Sequence, residues 1–337
     1  MESKIKSDLL SLTFVIPVLN ASQHLACCLK SIRDQDYPKE KVEIFIVDGG
    51  STDTTIEIAT EFGAKVLHNE KRLAEYGVQL GVGEATSDLL VVFAADNELV
   101  GRDWAAKVVD VFRIYKDVSA VWGRLASGRY DPFLNKYFEL VQSDPLNWFL
   151  NQNLTYYRAK SLNTRAEFFK FDVDPLKPLV WGANGLTYRT KCIKSIWQQS
   201  GYLGDNDAFQ SMIERGDRQV VYFNTPFVYH HHVAALGDWI NKWKRNFFCH
   251  LTDKHQTRNM NWVFVKGFKK KVFIWSIYCI IPIFSLSDSL LRAFRDRNLF
   301  WLCHPFVSLT QFLTYVYLVM MTQKGRRFIM SKLFKFA

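Results

Sequence analysis

Residues 12–20, LTFVIPVLN, and residues 42–55, VEIFIVDGGSTDTT, decide the fold. Each opens as a short apolar run rich in β-branched and aromatic side chains, and each ends abruptly in turn-forming polar residues. That pattern marks a buried strand delivering a loop to one end of a sheet. Working outward, residues 22–33 have helical spacing, with Ser22 as N-cap. Thr54 to Phe62 predicts a helix closed by Gly63, and 64–67 a third strand. Residues 73–86 keep a helical pattern despite three glycines, and 89–94 form a fourth strand running into Ala95-Asp96-Asn97-Glu98. Strands alternating with helices predict an α/β fold with a parallel sheet. Ligands of such sheets sit beyond the carboxyl ends of the strands. Asn20, Asp48–Asp53 and Asp96–Glu98 all fall there, so three segments converge on one crevice.

Downstream the reading is less regular. Residues 123–180 are aromatic-rich and punctuated by Asp144-Pro145, Asp174-Pro175 and Lys177-Pro178; loops and short helices are expected. Trp181–Gly185, a helix near 190–198 and a helix opening at Asp205-Asn206-Asp207 follow. Strand-like 219–223 and 227–229 then lead into His230-His231-His232. Two apolar stretches come last, 272–287, broken by Pro282, and 299–323, with His304, Pro305 and Gln311 inside it. Two spans or a helical hairpin are the first expectation, interfacial helices the second and a buried helical subdomain the third.

Of 337 residues, 27 are Phe, 14 Tyr and 10 Trp, and the formal charge is +10. The basic excess gathers in Lys242–Arg245, Lys266–Lys271 and Lys324–Arg327, beside apolar stretches. Basic clusters so placed point to a membrane face and not to a nucleic-acid groove. Six scattered cysteines without a CxxC pair predict reduced thiols, and the opening MESKIKSDLL lacks the apolar run of a signal peptide. The expected location is the cytoplasmic side of the cell membrane.

The segments FVIPVLN (14–20), IFIVDGGSTDTT (44–55), FAADNEL (93–99), WGANGLTYR (181–189), GDNDAF (204–209) and YHHH (229–232) resemble family 2 glycosyltransferases, in family order over roughly residues 12–245. The resemblance implies a GT-A fold, Rossmann-like and mostly parallel, over residues 1–245, with a helical membrane-associated region at 246–337. It also implies inverting transfer from a nucleotide-sugar, UDP by default, with Mg²⁺ or Mn²⁺ screening the diphosphate. The acceptor would be membrane-associated, either a lipid-linked glycan, a polyprenyl phosphate or a polysaccharide. Asp48 would contact the nucleoside, with Pro17, Leu19, Asn20 and Gly50 lining its pocket; an Asx turn is the simpler account of Asp48. The family's DxD becomes Ala94-Ala95-Asp96, leaving Ala95 beside the donor and Asp96 as metal ligand. Trp181, Gly182, Ala183 and Asn184 would face the donor sugar. Asp205 is the first candidate base and Asp207 the second, although helix capping suits both. His230 or His232 would reach the metal or diphosphate, whereas a polar strand end explains them equally. Asp53 is read as a helix cap, and Lys71 and Arg72 as solvated surface.

A nucleotidyltransferase would place a Gly-rich basic loop where Pro17-Val18-Leu19-Asn20 stands, and a P-loop is absent. Ala94 leaves a second reading open, a degenerate nucleotide-binding scaffold.

Overall fold

The computed structural model describes residues 9–150, 157, 167–177, 179, 184–198, 203–231, 234–248 and 268–333. The chain divides into two compact units. The first holds residues 1–126 and 153–230, and the second 127–152 and 231–337.

Along the chain, β1 (Leu12–Val18), α1 (Ser22–Arg33), β2 (Val42–Asp48), α2 (Thr55–Glu61), β3 (Lys65–His68), α3 (Ala74–Glu84) and β4 (Leu89–Val92) form the expected alternation. They are followed by β5 (Asn97–Leu99), α4 (Trp104–Ile114) and β6 (Ala120–Ala126). Helices α5 (Phe133–Val141) and α6 (Pro145–Leu150) belong to the second unit. The chain then returns to the first with β7 (Phe168–Asp172), β8 (Leu186–Arg189), α7 (Thr190–Trp197), α8 (Asp205–Glu214) and β9 (Gln219–His230).

The sheet runs β3-β2-β1-β4-β8-β6-β9-β5, with β7 also paired to β9. Strands β3, β2, β1 and β4 are parallel, whereas β8 is antiparallel to β4 and β6, and β5 and β7 are antiparallel to β9. The sheet is therefore parallel in its first half and mixed in its second. Both faces of the parallel half are covered. Val15, Phe45, Val47, Leu90 and Val92 pack with Val78 and Val82 of α3 and with Ile193 and Trp197 of α7. On the other face, the Phe14 ring meets Phe93 and Trp104 at 5.8 and 5.9 Å. Double coverage explains why these strands read as unbroken apolar runs. The glycines of α3 have a packing reason: a Cβ on Gly77 would stand 3.0 Å from Cβ of Pro17, and one on Gly81 would run into Val15.

In the second unit, α9 (Leu236–Asn246), α10 (Phe268–Ile280), α11 (Pro282–Arg295), the short 3₁₀ turn Leu299–Cys303, α12 (His304–Met321) and α13 (Gln323–Leu333) complete the chain. Leu299–Met321 is long and apolar enough to cross a membrane, and α10 and α11 are bent by 89° at their junction. The expected domain boundary at residue 245 falls inside this unit. Trp239 and Trp243 of α9 stack at 5.6 Å, and Trp239 meets Tyr137 of α5 at 5.9 Å, so α5 and α9 share the apolar core of the C-terminal helices. In the interval 123–180 the expected short helices are present as α5 and α6, whereas the end of β6 and strand β7 were not expected.

Candidate functional site

Asp48 ends β2 at the carboxyl edge of the sheet and is buried. Its carboxylate accepts from the Gly50 amide at 2.9 Å, the Ser51 amide at 3.1 Å and the Ser51 hydroxyl at 2.6 Å. Gly50 sits at φ 89°, a conformation glycine adopts without strain. The Asx turn is thus present, and it takes up three of the roughly four acceptor sites of the carboxylate. Asn20, at φ 51°, joins this turn to the end of β1: its amide donates to Ser51 Oγ at 2.8 Å, and its Oδ1 accepts from the Thr52 amide at 2.8 Å. Leu19 projects beside it, 45% exposed, and Pro17 is half-buried. The Asp53 carboxylate accepts from the amide and hydroxyl of Thr55 and from the Ser22 amide. Asp53 stands one residue before the N-cap of α2, Thr54, and takes the first amide of α2 and of α1 without being the cap residue itself. Those bonds, from Thr55 first and Ser22 second, hold its carboxyl down to about 2.

The second cluster forms where β4 passes into β5. Asn97 pairs in register with His230 across the antiparallel β5–β9 ladder. The ladder brings His230 Nε2 to 3.4 Å from Asp96 Oδ2, with His230 buried and Asp96 partly exposed. Asn97 is fully buried and donates through Nδ2 to Asn184 Oδ1 at 3.0 Å. Ala95 is half-buried in the same turn, where the Asn97 amide donates to the Ala94 carbonyl at 3.1 Å. The Cys28 thiol lies close beneath. Burial first, then the carboxylates of Asp96 and Glu98, push its pKa well up.

Asp205 is the first residue of α8, with Gly204 as N-cap. It is half-buried, while Asp207 is fully buried. Only Asp205 of the pair therefore presents an accessible carboxylate. Burial first, and then the charge of Asp205, push up the pKa of the Tyr188 hydroxyl on β8. Trp181, Gly182, Ala183 and His232 lie outside the described residues. Arg72 is exposed, as read from sequence, but it is also tied to the Asp48 turn: its Nε donates to the Gly49 carbonyl at 2.9 Å. It takes φ 55° to do so, and nothing in the sequence signals that contact. The sequence placed Asn97 in the crevice as a further oxygen beside Asp96, but its bridge to Asn184, 87 residues on, has no sequence signal.

Residues 13–172 match the model of Glycosyl transferase family 2. The chain carries a family 2 glycosyltransferase domain. Over 91 residues it is 35% identical to the dolichyl N-acetyl-alpha-D-glucosaminyl phosphate 3-beta-D-2,3-diacetamido-2,3-dideoxy-beta-D-glucuronosyltransferase of Methanococcus voltae, covering 25% of this chain and 28% of that one. Over 239 residues it is 23% identical to glycosyltransferase GlyA of Streptococcus pneumoniae, covering 69% of this chain and 32% of that one. The aligned segments thus span about a third or less of these relatives. The mannosyltransferase PcManGT from Pyrobaculum calidifontis, solved with GDP-Man and Mn²⁺, superposes with a TM-score of 0.51 over 91% of this chain and 88% of that one, at 13% identity. The fold is GT-A.

Within this glycosyltransferase domain the triplet Ala94-Ala95-Asp96 keeps one carboxylate. Mg²⁺ and Mn²⁺ take oxygen ligands, and imidazole is also acceptable to Mn²⁺. Two ligands at about 2.1 Å on adjacent octahedral corners stand about 3 Å apart. Asp96 and His230, at 3.4 Å, fit such a pair. Among the described residues no group of three or more His, Cys, Asp or Glu side chains is placed to hold a metal. The matched range ends at Asp172, so Asn184, Asp205 and His230 take their places from the fold and not from the family match.

Proposed function

We propose that this protein is an inverting glycosyltransferase that moves a sugar from a nucleoside-diphosphate sugar, UDP-linked by default, to a membrane-associated acceptor. The observation that carries the reading is the Asp96–His230 pair at 3.4 Å, formed beside the Asn97–Asn184 bridge in a family 2 domain. The Asp48 turn, with Leu19, Asn20 and Arg72 around it, binds the nucleoside. Asn184, its Oδ1 held by Asn97, presents its amide nitrogen to the donor sugar. Asp96 and His230 hold Mg²⁺ or Mn²⁺, which when bound neutralises charge on the departing diphosphate.

Asp205 accepts the proton of the acceptor hydroxyl as its oxygen attacks the anomeric carbon. One C–O bond forms, the bond to the diphosphate breaks on the opposite face, and the configuration inverts. The acceptor proposed is a lipid-linked glycan, whose sugar hydroxyl gives its proton to Asp205, or a polyprenyl phosphate, whose ionised phosphate oxygen attacks without that proton transfer, on the cytoplasmic side. The named activity of the Methanococcus relative, on a dolichyl-phosphate-linked sugar, supports that class.

Calorimetric titration with a panel of nucleoside diphosphates, with Mn²⁺ and with chelator, tests the donor site. Metal-dependent binding of one nucleotide is expected. Binding without turnover on any lipid-linked acceptor would favour the degenerate scaffold that Ala94 suggests, and no binding would reject the site.

A further inference from the structure

The C-terminal helices are built inside out. On α11 the residues facing the protein are small or polar: Ser285, Ser289 and Ala293 are buried. The large apolar residues face outward, and Ile283, Phe284, Leu286, Leu290, Leu291 and Phe294 are all exposed, Phe294 by 88%. A helix on a water-soluble protein has the reverse polarity. The inward side is a satisfied polar network. Ser289 Oγ donates to the Trp301 carbonyl, Arg292 pairs with Asp288 at 2.9 Å, and its guanidinium lies 4.6 Å from the Trp148 ring.

Helix α12 repeats the arrangement in part, with Val307 and Leu318 buried beside its polar inward groups. His304, Ser308 and Gln311 are buried, and Gln311 takes the Leu146 amide at 2.8 Å and donates to Asp144 at 2.9 Å. Phe306, Leu313, Tyr317 and Met320 point away. Buried hydrogen-bonded polar groups beneath an apolar exterior mean that the medium outside these helices is not water.

Charge identifies that medium. From Phe268 to Leu333 the sequence has ten Lys and Arg against two acids, Asp288 and Asp296. Lys270, Lys271, Lys324, Arg326 and Arg327 fringe the apolar surface and are exposed. A second copy of the chain would bring like charges together, whereas anionic lipid headgroups would neutralise them.

Length decides between crossing the bilayer and lying in it. At 1.5 Å per residue, the 13 residues of α10 and 14 of α11 reach about 20 Å each, short of the roughly 30 Å hydrocarbon core. Bent by 89° at Pro282, they do not run as one straight helix across that thickness. Leu299–Met321 has the length. However, α9, with Lys244 and Arg245 exposed, packs along α12, and α13 folds back on its end, where Arg326 donates to the Met320 carbonyl at 2.9 Å. Crossing would carry those charges into hydrocarbon.

We infer that the second unit seats the protein in one leaflet of an anionic membrane, with the outward faces of α11 and α12 in the headgroup–acyl boundary and the basic fringe on the headgroups. This deepens the membrane-associated acceptor proposed above and rests on it for the enzyme's purpose, but its test is separate. Full-length protein is floated with preformed phosphatidylcholine vesicles, with and without phosphatidylglycerol, beside a Leu290→Ser/Leu291→Ser/Phe294→Ser variant. These side chains are exposed, so circular dichroism and nucleotide calorimetry should match the wild type.

The expected result is flotation with the anionic vesicles, weakened by salt, removed by alkaline carbonate and reduced roughly tenfold or more in the variant. Absence of flotation, equal flotation of the variant, or carbonate-resistant protein labelled from both sides of the vesicle would each overturn the inference. So would a wild-type dimer that the variant abolishes, because that assigns the face to a second copy. Loss of nucleotide binding with flotation intact would count against the proposed function alone.

Discussion

Asp205 and Asp207 are two residues apart, yet burial separates their roles. Asp207 is fully buried, and its carbonyl accepts the Ser211 hydroxyl at 2.8 Å inside α8. Asp205→Asn should lower turnover by about 10²- to 10⁴-fold while nucleotide affinity stays within error; a transfer assay beside calorimetry reads both. Asp207→Asn should instead lower the melting temperature, and a rate loss there without destabilisation would move the base to Asp207. At the proposed cation site, Asp96→Ala should remove the difference between nucleotide binding with Mn²⁺ and with chelator, whereas an unchanged difference would reject Asp96 as ligand. Asp53 gives a pH test. Its folded carboxyl is held at about 2, below the roughly 3.9 of an unfolded chain, so its stabilisation is present above about pH 4 and is lost as pH falls toward 2. Urea midpoints of the wild type and Asp53→Asn should therefore differ at pH 6 and converge by about pH 2.

At the scale of elements, α3 shows how packing overrides propensity. Alanine is favoured over glycine by about 1 kcal/mol in a helix. A Cβ at Gly81, however, collides with Val15 on a buried strand that cannot retreat, and overpacking costs about 1–3 kcal/mol. Gly81→Ala should therefore destabilise the protein. Gly83→Ala, with nothing within 4 Å, should stabilise it by up to about 1 kcal/mol. Opposite signs in chemical denaturation would confirm that α3 is seated by contact; equal signs would contradict it. The strands β1, β2 and β4 were legible because both faces are buried and each reads as one apolar run. Strand β5 was not, since three residues, Asn97–Leu99, carry no period and owe their conformation to the pairing with β9.

For the whole molecule, the second unit is assembled from two separated stretches, 127–152 and 231–337. Cutting at residue 246, the boundary expected with the family resemblance, would leave α5, α6 and α9 without the helices they pack on. Tyr137, Trp239 and Trp243, all buried, would lose their cover. A 1–246 fragment should express insoluble or melt well below the full chain. A fragment as stable as the full chain would show that the boundary lies where the sequence suggests.

The sequence by itself determined the parallel α/β half, the loops at its carboxyl edge and the family, because unbroken apolar runs ending in turn residues are local signals. It also located the apolar and basic C-terminal stretches. Tertiary structure alone decided that Asp96 meets His230, that Asn97 holds Asn184, that Arg72 braces the Asp48 turn and which of two neighbouring aspartates is accessible. It decided as well that the large apolar residues of α11 face outward. Those outcomes depend on strand pairing and on which helix face is covered, contacts such as Asp96–His230 and Trp148–Arg292 between residues far apart in sequence that no local pattern encodes.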